Sequence, residues 1–243
     1  MNARTILIAL AVKYEGDWQR IYNDIAKKIT PTSEEIAKVE YLEKECITLL
    51  DENYPSMLKE IYKPPFVLFT KGNKDLLNNN DMVAYVGTRT PSEYATKSTK
   101  QMVDEEDSEV LITTLALGIN TIATKQALEN DKKVIAVLPC GIDTCYPQSN
   151  KALLKEIIDN GGLVISEYPY DTEANKDNFM ARNRIVAGLT SEIKVMEVYN
   201  HSGTMVMIAQ ALQNKKTISV LPHNIDSGCY NNELIKEGAD LLL

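Results

Sequence analysis

Met82-Val83-Ala84-Tyr85-Val86-Gly87-Thr88-Arg89-Thr90-Pro91-Ser92-Glu93 is the stretch on which the reading of the fold turns. An unbroken apolar run, a glycine turn and then the residues that open a helix describe a strand buried on both faces that feeds a helix. Thr90 with Glu93 predicts a capping box, and Pro91 is expected at the first helical position. The same unit recurs downstream. Strand candidates at Met82–Val86, Val110–Thr113, Val134–Leu138, Leu163–Ser166, Ile193–Val198 and Thr217–Leu221 alternate with helical patterns near 91–105, 120–130, 150–159, 179–189, 204–213 and 230–238. Apolar strands each followed by an amphipathic helix build a parallel sheet covered on both faces. The expected fold class is therefore α/β, a Rossmann-like doubly wound parallel sheet.

Upstream of this body the periodicity changes. Trp18, Ile21, Tyr22 and Ile25 fall at helical spacing, Thr30-Pro31 interrupts, and Ile36, Val39, Tyr41 and Leu42 resume the pattern. A small N-terminal α-helical module over 1–46 is expected, joined through short strands at Ile47–Leu50 and Phe66–Phe69 to a main domain over 47–243. The apolar run Thr5–Val12 is too short for a membrane span and reads as the buried start of the module. No membrane association is expected.

The chain has 243 residues, of which 44% are apolar and 25% charged, the composition of a soluble globular protein. Its 26 Lys and Arg against 34 Asp and Glu give a net charge of −8, which excludes whole-molecule attraction to a polyanion. Any phosphate or nucleic-acid site must be a local patch. Cys46, Cys140, Cys145 and Cys229 form no CxxC pair, and with only His201 and His223 beside them they make no zinc set. Reduced thiols in a cytoplasm are expected, with no metal and no cofactor. The GxGxxG fingerprint is missing from the first turn, which argues against NAD or FAD.

In open α/β sheets ligands bind beyond the C-terminal strand ends, so the residues just after each strand are the candidates. Gly87-Thr88-Arg89 permits close approach of backbone to a ligand and adds a bidentate cation. Thr113 and Thr114 with Gly118 offer hydroxyls and a second glycine turn. Lys176, Phe179, Arg182, Asn183 and Arg184 gather basic groups around one aromatic ring, as a single-strand binder requires. The competing reading has Arg182 or Arg184 in internal salt bridges and Phe179 in the core. Ser202-Gly203 repeats the small, polar entry into a helix, and His201 beside it reads as a surface loop residue.

These motifs, in order, resemble a known family. Gly87-Thr88-Arg89, Gly118-Ile119-Asn120, Gly141-Ile142-Asp143 with Tyr146-Pro147 and Asn150, Ser166-Glu167-Tyr168, Ala181-Arg182-Asn183-Arg184-Ile185, Ser202-Gly203 and Gly228-Cys229 with Leu234-Ile235-Glu237-Gly238-Ala239 are similar to the DNA-processing protein A family, also called DprA or Smf. Tyr54-Pro55, Leu58, Pro65, Leu68 and Gly72-Asn73 match the same family upstream. The resemblance implies a SAM-like N-terminal module and an extended Rossmann-like DNA-binding domain. It further implies a cytoplasmic homodimer that binds single-stranded DNA and loads the RecA recombinase during natural transformation, without being an enzyme. The dimer is expected through the late elements near 204–240.

The chain departs from the family pattern at Thr113-Thr114, where Ser-Gly is usual, and at Leu117, where a basic residue is usual. Asn120 replaces an aspartate, Thr124 a histidine and His201 an arginine. With the chain ending at Leu243, the winged helix that follows in many members is expected to be absent. The rival reading is a nucleotide sensor or a phosphoribohydrolase-related enzyme. Those hydrolases carry a glutamate after their Gly-Thr, whereas Ser202-Gly203-Thr204-Met205-Val206-Met207 has no acid, so hydrolysis is not expected.

Overall fold

Side-chain alternation along one strand sorts the chain into two cores. In β3 (Met82–Gly87, so numbered from its place in the chain) Met82, Ala84 and Val86 face one apolar cluster, and Val83 and Tyr85 face the other. The computed structural model describes residues 2–242. In chain order the elements begin with α1 (Ala3–Lys13), α2 (Trp18–Ala26), α3 (Ser33–Ala37), β1 (Cys46–Thr48), α4 (Ser56–Lys59) and β2 (Val67–Gly72). After β3 come α5 (Glu93–Asp104), β4 (Val110–Thr113), α6 (Ile119–Glu129), β5 (Lys133–Leu138), α7 (Lys151–Asp159) and β6 (Leu163–Ser166). The chain continues through α8 (Lys176–Leu189), β7 (Glu192–Glu197), α9 (Gly203–Gln213), β8 (Thr217–Val220), α10 (Asn231–Lys236) and β9 (Asp240–Leu241).

The strands form one sheet in the order β1-β2-β6-β5-β4-β3-β7-β8-β9. From β6 to β9 every pairing is parallel, while β1 and β2 add an antiparallel edge. This is the doubly wound α/β fold. Helices α5, α6 and α7 bury Val103, Ala123 and Ile157 on one face, and α8 and α9 bury Ile185, Leu189 and Ile208 on the other. Strand order reverses between β3 and β7, because the chain first winds outward through β4, β5 and β6 and then returns past β3. That reversal opens a crevice at the carboxyl ends of the two strands.

The N-terminal helices join the first of these cores. Leu7 to Ala11 of α1 and Ile21 of α2 lie in one cluster with Phe69 of β2 and Val83 and Tyr85 of β3. The run Thr5–Val12 is therefore a buried helix, and no described helix is long and apolar enough to cross a membrane.

One local expectation is corrected. Helix α5 starts at Glu93 with Ser92 as its N-cap, so Thr90 and Glu93 form no capping box and Pro91 lies outside the helix. The reason is tertiary. The Ser92 N–H and Oγ donate to Oε2 of Glu197 at 2.8 and 2.7 Å, and Ser92 Oγ accepts from the Ala95 N–H. A carboxylate at the end of β7 thus fixes Ser92 as the cap.

Candidate functional site

The switch point holds a crevice of about 460 Å³ bounded by the ends of β3 and β7, the β4–α6 turn, and α8 and α9. A side pocket of about 80 Å³, lined by Leu117, Tyr146 and Pro147, opens from it past Arg89, Phe179 and Arg182. Of the residues singled out in the sequence, Gly87, Thr88, Arg89, Thr114, Phe179, Arg182, Asn183, Ser202 and Gly203 line the crevice together.

Two glycines hold its floor. A Cβ at Gly87 would lie 2.7 Å from the Glu197 carbonyl oxygen, so only glycine lets β3 close on β7 here. Gly118 has φ +73°, and a Cβ there would lie 2.3 Å from the Thr88 carbonyl oxygen. Gly118 therefore seats the second turn against the first. It does not line the crevice, which corrects the expectation that it contacts a ligand directly.

Arg182 is the central group. It is 5% exposed, and its Nη1 donates to the carbonyls of Thr114 and Val137 at 3.0 and 2.9 Å. Its Nε donates to Asn183 Oδ1, and Nη2 has no hydrogen-bond partner among the described residues. Nor does Arg182 have a carboxylate partner among them. Burial, with repulsion from Arg89 added, lowers its pKa to about 10. A buried cation without a counter-ion is costly, and an anion entering the crevice would relieve that cost.

The surroundings fit an anion. Arg89 is exposed at the rim, and no Asp or Glu lines the crevice. Helix α9 begins at its wall, with Ser202 Oγ accepting from the Met205 N–H and open space where a Cβ of Gly203 would stand. The partial positive charge of a helix N-terminus is thus presented to the crevice. The apolar half is formed by Phe179, Met180, Val198, Tyr199 and Met207. Phe179 stands edge-on to Tyr146 at 5.1 Å, with the Arg182 guanidinium 6.0 Å from its ring centre.

Other expected contacts lie elsewhere. Arg184 points away from the crevice, and its Nη2 donates to Glu167 Oε1 at 2.6 Å in a buried ion pair. Burial presses its pKa down, but the Glu167 carboxylate outweighs this and leaves it raised. The competing reading of an internal salt bridge thus holds for Arg184 and fails for Arg182. Lys176 is exposed at the start of α8 and does not line the crevice.

Thr113 is buried, and its Oγ accepts from the Leu115 N–H and from Thr124 Oγ. Thr114 lines the crevice, but its N–H and Oγ both donate to Asn120 Oδ1, at 3.1 and 2.7 Å. Thr113, Thr114, Asn120 and Thr124, which set this sequence apart, therefore act as two adjoining hydrogen-bonded pairs that shape the turn. The Thr114 N–H and hydroxyl proton are both committed within the chain, so the hydroxyl expected to meet a ligand has only its lone pairs to offer.

Val198, Tyr199 and Met207 line the crevice without having been singled out as ligand contacts, and Thr204, from the polar entry to α9, lines it beside Ser202 and Gly203. Val198 and Tyr199 directly follow β7, so the rule that pointed to Arg89 also reaches them. Met207 stands one helical turn beyond Gly203, where the first turn of α9 faces inward.

A family model described as DNA recombination-mediator protein A matches residues 45–243. The DNA processing protein DprA of Streptococcus pneumoniae is 40% identical over 200 residues, covering 80% of this chain and 70% of that protein. The chain spans between 42% and 61% of the length of the further curated relatives it matches. The X-ray structure of the Streptococcus pneumoniae protein superposes with a TM-score of 0.80 at 32% identity, covering 98% of this chain and 89% of that one. DNA processing protein A from Helicobacter pylori, whose structure is described for its single-stranded DNA binding mode, superposes with a TM-score of 0.74 at 32% identity. That match covers 81% of this chain and 90% of the other.

Proposed function

The chain belongs to the DNA recombination-mediator protein A family, and on that premise we propose that it binds single-stranded DNA in the switch-point crevice and acts as a non-catalytic mediator of recombination. The observation that carries this reading is Arg182, a buried cation without a carboxylate partner, in a crevice that no acidic residue lines. Arg182, Arg89 and the α9 N-terminus receive phosphate, and Phe179 or Tyr199 receives a base. The single-strand binding described for the Helicobacter pylori relative supports the choice of ligand. Among the described residues the crevice is lined by no carboxylate, imidazole, lysine or thiol, which supports a binding role over hydrolysis.

RecA is the proposed partner of the protein–DNA complex, in a homodimer acting in the cytoplasm during transformation. Leu212, Ile225 and Leu241, exposed around the β8–β9 edge, support the dimer.

The test is fluorescence anisotropy at low salt with labelled single-stranded, double-stranded and mononucleotide ligands. Single strands bind best, and Arg89→Ala weakens binding to all sequences alike, because a phosphate contact carries no base information. Equal affinity for duplex, or preference for a mononucleotide, would overturn the reading.

A further inference from the structure

Outside the crevice, the chain carries a second arrangement of aromatic rings, with a cation beside them. Trp18, the only tryptophan in the sequence, stacks on Tyr22 at 5.1 Å and 11° and on Phe66 at 5.1 Å and 25°. Lys63 Nζ lies 5.1 Å from the Trp18 ring centre and 5.6 Å from that of Tyr62. Tyr22 is 47% exposed and Tyr62 78% exposed, so both offer ring surface to solvent. Lys63 has no carboxylate partner among the described residues, whereas Arg20 packs over the Tyr14 ring at 4.4 Å and stands outside the patch.

The patch is rigidly mounted on the same helix as the crevice. Trp18 Nε1 donates to the Pro64 carbonyl at 2.8 Å, and Tyr54 Oη donates to the Pro65 carbonyl at 2.9 Å. Arg184 Nε donates to the Lys63 carbonyl at 2.8 Å while its Nη1 donates to the Ala181 carbonyl. Arg184 thus ties the Lys63 peptide to α8, whose Phe179 and Arg182 line the crevice on another side. A helix is only about 10 Å across, so a strand leaving the crevice reaches the rings after crossing α8.

We propose that Tyr22, Tyr62 and Lys63, backed by Trp18 and Phe66, form a second single-stranded DNA contact. Bases stack on the tyrosines and a phosphate meets Lys63. Rings set beside an unpaired cation suit a nucleic-acid strand, and ring stacking accepts any base. The proposal rests on the crevice reading, because it takes the crevice as the origin of the strand.

Trp18 supplies the probe. Its emission is followed while the full chain is titrated with a short oligothymidylate, sufficient for the crevice alone, and with one several times longer. Anisotropy of labelled copies is measured in parallel. Both oligonucleotides are expected to bind, but only the longer one changes Trp18 emission. The double variant Tyr62→Ala, Lys63→Gln, confined to surface side chains, is expected to weaken the longer ligand by about fivefold or more, the contribution of one stacked base, and to leave the shorter one unchanged. Equal affinity for both lengths with unchanged Trp18 emission would overturn the second contact and leave the crevice reading intact. A double variant that binds the longer ligand as wild type does would overturn it equally. If neither oligonucleotide binds, both readings fall.

Discussion

Arg182 and Arg184 are two residues apart and have opposite electrostatic fates. Arg184 is matched by Glu167, so removing it strands a buried carboxylate. Arg184→Met should therefore destabilise the protein by about 3–5 kcal/mol, visible in chemical denaturation, while the folded fraction keeps its affinity for a short single strand. Arg182→Met forfeits two hydrogen bonds to carbonyls but also removes an unmatched charge, so the unliganded protein should melt closer to wild type than the Arg184 variant does. The difference should appear with ligand. Oligothymidylate at about 100 times its Kd adds ~2.7 kcal/mol to a protein it binds only when folded, which raises the wild-type Tm by roughly 5–10 °C. The Arg182 variant should show little of that rise. A full rise in calorimetry would remove Arg182 from the site. These two fates were not separable in the sequence, because adjacent arginines on one helix read alike until the packing around them is known.

At the scale of elements, the parallel sheet was legible because its strands are apolar almost throughout and each leads into a helix. The ends of the elements were not. Helix α5 begins at Ser92 because Glu197, distant in sequence, supplies the acceptor. The Thr114 N–H is consumed by Asn120 for a similar reason, since a side chain further along the turn competes with any ligand. A comparable link joins elements at the far end of the sheet. Glu106, just beyond α5, accepts from Lys194 of β7 at 2.6 Å and from the Tyr85 hydroxyl of β3 at 2.8 Å. Burial works to raise its pKa, but Lys194, the Ser108 N–H and Tyr85 outweigh burial and hold it below the ordinary value of 4.5. A lowered carboxylate stabilises the fold above its unfolded value and loses that contribution as the pH falls through the folded one. Thermal melts should therefore show a midpoint that drops below about pH 4.5. Glu106→Gln should lower stability at pH 7 by roughly 1–3 kcal/mol, because Lys194 keeps only Glu192, at 3.8 Å, as a carboxylate partner, and should flatten the acid dependence. An unchanged acid profile in the variant would place the titration elsewhere.

For the whole molecule the governing fact is the mismatch between a net charge of −8 and an anion-binding crevice. The sequence showed that any such site must be local, and the geometry gives the reason it can work. Among the described residues, no acidic side chain lies on the crevice lining, and Arg89 and Arg182 are the only cations on it. Few phosphates can then be neutralised at once, and salt dependence counts them. Each phosphate contact on a single strand contributes about −0.7 to the slope of log affinity against log salt. Two contacts, at Arg89 and Arg182, give a slope of about −1.4, so a short oligonucleotide should lose about 7-fold in affinity between roughly 50 and 200 mM salt. A longer strand that also meets Lys63 should approach a slope of about −2.1 and lose about 18-fold over the same range. Lys63→Gln should return the longer ligand to the shallower slope, because the remaining contacts are those of the crevice. Anisotropy titrations at several salt concentrations measure all three values. A slope independent of strand length would confine the phosphate contacts to the switch point, and a slope near zero would mean that the two crevice arginines meet no phosphate.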